Sequence, residues 1–216
     1  MNKNIITHAC FDLDGTLVDS KETILESTKA ALDQLKINHK IDEDIFTNMI
    51  GMHFVDIFDE LKIEVNDFEK FISIYKAYYF DFMNSSYLYP GVQQTLQYLN
   101  EKNIRVSLLT TKVQDQAEKI IDHFNLRSSF SYLMGRRDGL AHKPSPEPLL
   151  NICKELNVKP AETVMVGDTE LDIQCGKGAG SKTCGVLYGY RTNVQLEKEK
   201  PDFLISGLNE LVNVLE

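Results

Sequence analysis

Short, mostly apolar runs rich in β-branched and aromatic residues recur along the chain at 5–11, 104–109, 130–134, 163–166, 183–187 and 203–205. The first ends at the turn Asp12-Leu13-Asp14-Gly15-Thr16, the pattern of a buried strand, and the others are similar runs. Most intervals between them, including 92–100, 113–124 and 146–156, instead space their apolar residues at three and four, as amphipathic helices do. Strand alternating with helix predicts an α/β architecture, a mostly parallel sheet with helices on both faces.

The stretch 17–86 breaks this alternation and reads as several helices in a row with no convincing strand. Its last helix carries Phe68, Phe71, Ile72, Tyr75, Tyr78, Tyr79 and Phe82 on one face, a stripe expected to pack in a core. Pro90-Gly91 then punctuates the return to alternation. The expected organisation is a core built from 1–16 and 87–216, with a helical domain inserted at 17–86.

Composition narrows the classes. With 216 residues, 43% hydrophobic and 25% charged, the chain has the make-up of a globular protein with a sizeable core. A net charge of −9 leaves no basic field for a phosphodiester backbone, so nucleic acid is not expected as a partner. An anionic small molecule would require a local positive element, a metal or converging Lys and Arg. Cys10, Cys153, Cys175 and Cys184 show no C-x-x-C spacing and read as free thiols of a reducing compartment. One lysine and a short, interrupted apolar run at the start do not make a signal peptide, and no window approaches the ~20 apolar residues of a membrane span, so a cytoplasmic protein, monomer or homodimer, is expected.

The chemistry gathers at strand ends. Asp12 and Asp14 flank one residue where the first strand stops, with both carboxylates on one side. Like charges held this close predict a metal, a shared proton or a division of labour, and a hard cation such as Mg²⁺ suits oxygen ligands. An EF-hand loop is excluded, because Leu17 and Thr23 fall where its glycine and glutamate belong. Thr110 ends a second strand, Lys143 precedes Pro144 in a loop, and Asp168 and Asp172 follow a third. In an open parallel sheet these carboxyl ends share one edge, where ligands bind.

Asp12-Leu13-Asp14-Gly15-Thr16, Leu108-Leu109-Thr110-Thr111-Lys112, His142-Lys143-Pro144-Ser145-Pro146 and Gly167-Asp168-Thr169-Glu170-Leu171-Asp172 resemble, in order and spacing, the four motifs of the haloacid dehalogenase-like hydrolases. Tyr89-Pro90-Gly91-Val92 and Gly185-Val186-Leu187-Tyr188-Gly189-Tyr190 are similar to segments of its phosphoglycolate phosphatase-like branch. The resemblance spans the chain and implies a Rossmann-like core, with 17–86 as a cap, hydrolysing a small phosphorylated metabolite with Mg²⁺ through an aspartyl-phosphate. It implies Asp12 as nucleophile and Asp14 as acid and base. Thr110 and Lys143 would hold phosphoryl oxygens, with Thr111 beside them. Asp12, Asp168 and the Asp14 carbonyl would ligate the metal, with Asp172 supporting from behind. Asp14 argues against dehalogenation, since a halide leaves without a proton whereas an alkoxide needs one.

Three rival readings stand beside this one. A phosphomutase would use the same intermediate, the cap deciding whether water or a second hydroxyl reaches it. Gly176-Lys177-Gly178-Ala179-Gly180-Ser181-Lys182-Thr183 nearly spells a nucleotide-binding phosphate loop, but Ser181 replaces a glycine and the segment runs from helix to strand, the reverse of such loops. A non-catalytic phosphate binder would not require both Asp12 and Asp14. His53, in the loop Met49-Ile50-Gly51-Met52-His53, and Arg136 and Arg137 are further candidates for touching substrate.

Overall fold

A computed structural model describes residues 5–137 and 139–215; the lysine near the start that entered the signal-peptide reading lies outside the described residues. The chain forms two compact units, one comprising the residues up to Leu17 with those from Leu88 onward, the other Val18–Tyr87. In chain order the elements are β1 (His8–Phe11), β2 (Val18–Asp19), α1 (Lys21–Gln34), α2 (Glu43–Asn48), α3 (Phe54–Leu61), α4 (Phe68–Asp81), β3 (Tyr87–Leu88) and α5 (Val92–Glu101). They continue with β4 (Arg105–Val113), α6 (Gln114–His123), β5 (Tyr132–Arg136), α7 (Glu147–Glu155), β6 (Thr163–Gly167), α8 (Glu170–Ala179), β7 (Lys182–Val186), α9 (Asn193–Lys198), β8 (Phe203–Ile205) and α10 (Leu211–Leu215).

Among the described residues the larger unit holds a six-stranded sheet in the order β5-β4-β1-β6-β7-β8. Every neighbouring pair is parallel. The α/β expectation therefore holds, and the sheet is wholly rather than mostly parallel. All residues of β1 and β6 are buried, as strands covered on both faces must be. Successive strands build outward from β1 to β4 and β5, then cross to β6, β7 and β8. The order reverses between β1 and β6, which opens a crevice at their carboxyl ends. All four cysteines are buried and free, and Cys10, Cys153 and Cys175 share one apolar cluster with Leu109, Met134 and Met165.

The inserted unit buries the aromatic stripe foreseen for α4. Phe71, Tyr75 and Tyr79 lie inside, and Phe71 meets Phe54 and Phe58 edge-on with ring centroids 5.0 Å apart, the geometry that aromatic quadrupoles favour. Asp67 caps α4 by accepting from the Lys70 amide at 2.9 Å. One departure from the all-helical expectation is β2, which pairs with β3 in a two-stranded ribbon. Two residues carry too little pattern to be read as a strand alone.

His8 is a polar residue at the start of β1 and is fully buried. Its Nε2 lies 2.8 Å from the Ser107 hydroxyl on β4 and its Nδ1 lies 3.1 Å from the Thr163 hydroxyl on β6, so the ring bridges both neighbouring strands. Burial, with Arg105 adding repulsion, lowers its pKa from 6.5 to about 4. The unfolded chain thus binds a proton between those values that the folded chain refuses, and stability must fall as pH drops through this window. Urea unfolding from pH 7.5 to 4.5 should show the wild type losing roughly 2–3 kcal/mol more than His8→Gln; parallel pH curves for the two proteins would refute the assignment.

Candidate active site

Beyond β1 the Asp12 amide still donates to the Val166 carbonyl at 2.9 Å, so the sheet itself sets the start of the loop. The Leu17 amide donates to Leu13 at 2.9 Å and closes a tight turn over residues 13–17. Gly15 has φ +80°, and a Cβ there would lie 2.2 Å from Asp168 Oδ2. Gly189, arriving after β7, would likewise put a Cβ 2.2 Å from the Asp168 Cβ. Asp168 is thus clasped between two backbones that only glycine lets so near. Its Oδ1 accepts from the Thr16 hydroxyl at 3.1 Å and its Oδ2 from the Tyr190 amide at 2.8 Å.

Lys143 joins the two sides of the crevice. Its Nζ is 2.7 Å from Asp12 Oδ1 and 2.6 Å from Asp172 Oδ1, and all three side chains are buried. Asp172 lies at the third position of α8, where its Oδ2 accepts from the Thr169 amide at 3.1 Å and hydroxyl at 2.7 Å, a capping box with aspartate in the place of glutamate. Gly167 gives Asp172 its room, since a Cβ there would fall 2.1 Å from the carboxylate carbon. Further along the rim, Asp14 Oδ2 lies 3.3 Å from Lys112 Nζ. The Thr110 hydroxyl, buried, accepts from the Lys112 amide at 3.2 Å.

The electrostatics are those of crowded anions. Burial pushes the Asp12 carboxyl up to about 7, against the pull of Lys143 and with Asp172 and Asp14 adding to the rise. Burial, then the charges of Asp12 and Asp172, raise Asp168 well above the usual carboxylate range. Burial works to strip Lys143 of its proton, but Asp12 and Asp172 outweigh it and hold the ammonium above the ordinary lysine range. One ammonium does not neutralise three carboxylates, so the cluster calls for a further cation.

Single oxygens of Asp12, Asp168 and Asp172 all lie within 4.8 Å of one another. That all-oxygen donor set fits a hard divalent cation such as Mg²⁺. Asp172 has the least to offer it, with one oxygen taking two donors from Thr169 and the other taking Lys143. Asp12, which takes Lys143, and Asp168, which takes Thr16 and Tyr190, have fewer lone pairs engaged.

The structure therefore gathers Asp12, Lys143, Asp168 and Asp172 into one cluster, with Asp14 and Thr110 on the same edge of the sheet. Thr111 is half-buried beside Thr110. Arg136 ends β5 and lines a small recess with Thr110 and His142, whereas Arg137 donates through Nε to Gln114 at 3.3 Å. His53 belongs to the inserted unit, as the N-cap residue of α3. The glycine-rich segment 176–183 ends α8 at Gly180 and enters β7, so it sits at the opposite end of the strands from the cluster, as its helix-to-strand order foretold. Four contributors escaped the sequence reading: Thr16, the Tyr190 amide, Lys112, and a buried Arg191 that pairs with Glu170 at 2.7 Å and ties the β7 loop to α8. Thr16, Lys112 and Tyr190 stand inside the motifs quoted above without a role assigned to them, whereas nothing in the sequence pointed to Arg191.

Comparison with known proteins finds relatives along the whole chain. Residues 9–186 match the family model of the haloacid dehalogenase-like hydrolases. The chain is 31% identical over 208 residues to a phosphoglycolate phosphatase of Aquifex aeolicus, covering 95% of each chain. It is 34% identical over 218 residues to the pyrophosphatase PpaX of Anoxybacillus flavithermus, covering 100% of this chain and 98% of that one. Its fold superposes with a TM-score of 0.88 on a haloacid dehalogenase-like hydrolase from Streptococcus pneumoniae, at 21% identity and 98% and 99% coverage.

The clasp around Asp168 makes a direct prediction. Gly189→Ala forces a methyl into the Asp168 side chain and should lower stability by about 1–3 kcal/mol, as overpacking does. Gly178→Ala, whose Cβ would meet only Pro146 at 3.2 Å, should cost clearly less. Equal melting temperatures for the two variants would show that Asp168 is not held this way.

Proposed function

The chain belongs to the haloacid dehalogenase-like hydrolases, and on that premise we propose that it is a Mg²⁺-dependent phosphatase acting on a small phosphate ester or on pyrophosphate through an aspartyl-phosphate. The observation that carries the reading is a single buried cluster in which Asp12 touches Lys143 and stands within ligand distance of Asp168.

Bound by Asp12, Asp168 and the Asp14 backbone carbonyl, Mg²⁺ would supply the positive charge that lets a carboxylate approach a phosphate dianion. The chain's own groups do the rest. An Asp12 carboxylate oxygen attacks phosphorus, the bond from phosphorus to the bridging oxygen breaks, and Asp14 gives that oxygen its proton. Water then attacks phosphorus, Asp14 takes back a proton, and the Asp12–phosphorus bond breaks to release inorganic phosphate. Lys143 and the Thr110 hydroxyl, which accepts from the Lys112 amide and keeps its own proton to donate, hold the phosphoryl oxygens. Asp172 fixes Lys143 against the other carboxylates, so that the ammonium meets the phosphoryl group already aimed. The inserted helical unit serves as a cap, and a cap that admits water gives a phosphatase rather than a mutase.

The relatives named above are a phosphoglycolate phosphatase and a pyrophosphatase, which supports a small substrate of this kind. Phosphate release should be measured over phosphoglycolate, pyrophosphate, sugar phosphates, nucleoside monophosphates and p-nitrophenyl phosphate. Chelation and Asp12→Asn should each abolish turnover, and Asp14→Asn should lower it ~10²–10⁴-fold on alkyl phosphates. Undiminished turnover in Asp12→Asn would overturn the proposal, and phosphorylated Asp12 without release from any ester would favour the mutase.

A further inference from the structure

We propose that Tyr188 is a positioning residue for the divalent cation, acting through Thr16 on the carboxylate of Asp168. The inference rests on the Mg²⁺-dependent reading above and goes beyond it, since the Tyr188 hydroxyl donates to the main chain rather than to one of the acids.

The phenol of Tyr188, in the loop that follows β7, donates to the Thr16 carbonyl at 2.9 Å. The next carbonyl along the chain, that of Leu17, accepts from the Tyr89 amide at 3.0 Å. The rings of Tyr89 and Tyr188 close the circuit, with centroids 4.6 Å apart. Two consecutive peptides are therefore held from two separate segments, where the chain leaves the larger unit after Leu17 and returns to it at Leu88. Neither tyrosine takes part in the phosphoryl transfer.

What the circuit fixes is the direction of one hydroxyl. Thr16 is fully buried, and its Oγ1 gives its single proton to Asp168 Oδ1 at 3.1 Å. Asp168 Oδ2 takes the amide of Tyr190, two residues beyond Tyr188 in the same loop, at 2.8 Å. One short loop thus orients both oxygens of this carboxylate, Oδ2 directly and Oδ1 by way of Thr16. Each oxygen keeps a lone pair for a cation, and the two donors decide where those lone pairs point. Without the phenol, the peptide between Thr16 and Leu17 is free to turn and carry the hydroxyl away from Oδ1. A fully buried carboxylate then loses a donor that water cannot replace.

The test follows Mg²⁺ in two ways: the rise in melting temperature of the substrate-free protein with Mg²⁺ concentration, and the Mg²⁺ activation constant for phosphate release from p-nitrophenyl phosphate. Tyr188→Phe, which deletes one oxygen, should weaken Mg²⁺ binding about tenfold by both readings, while the KM for the ester and kcat at saturating Mg²⁺ stay as in the wild type. Thr16→Val should weaken it at least as much, and Thr16→Ser, which keeps the hydroxyl, should retain the affinity. Tyr188→Phe added to Thr16→Val should cost nothing further, since the path is already broken. A Tyr188→Phe protein that melts earlier but binds Mg²⁺ as the wild type does would make the bond merely structural and overturn the inference. Additive losses in the double variant would overturn it too, by showing that Tyr188 does not act through Thr16. A wild-type protein that Mg²⁺ neither stabilises nor activates would overturn the Mg²⁺ reading itself, and this inference with it.

Discussion

Bringing carboxylates together where water is scarce is the constraint around which this molecule is organised. Asp12, Asp168 and Asp172 are buried at the point where the strand order reverses, and each raises the electrostatic burden of the others. Without compensation such a cluster would protonate or push apart. The surrounding structure reads as a set of answers to that problem. Lys143 bridges two of the acids, the Thr16 hydroxyl and Tyr190 amide hold the third, and the capping box of α8 saturates Asp172.

The backbone answers as much as the side chains do. Gly15, Gly167 and Gly189 are the points where main chain comes so near an acid that a methyl group would overlap it. Loops from different strands can therefore close on the carboxylates without water between them, and the charges are held by donors fixed in direction. That preorganisation distinguishes a site prepared for a cation and a phosphate dianion from an acidic patch on a surface.

Much of this was legible along the chain. Apolar runs ending in Asp, Thr or Gly marked strands whose carboxyl ends had to share an edge, and that argument alone placed Asp12, Thr110, Asp168 and Asp172 near one another. The parts that were not legible depend on partners distant in sequence. The role of His8 is one of these, because nothing in its neighbourhood announces Ser107 and Thr163, which reach it only through the sheet register. Arg191 and Glu170 pair between the loop after β7 and the start of α8, far beyond any local pattern. Lys112 was visible but ordinary, since a lysine near a strand end is most often solvated, and only its burial against Asp14 marks it out.

The ribbon of β2 and β3 has a consequence for how the chain assembles. β1 must find β4 across the whole insert, with His8 registering against Arg105, and contacts so distant in sequence slow folding because a long loop must close first. β2 follows β1 closely and β3 precedes α5, so once these two short strands zip together the insert becomes a closed side branch. The search that remains for β1 and β4 then spans only the short stretches on either side of the ribbon. The same clasp lets the branch change in length or sequence without altering the loop that the sheet has to close.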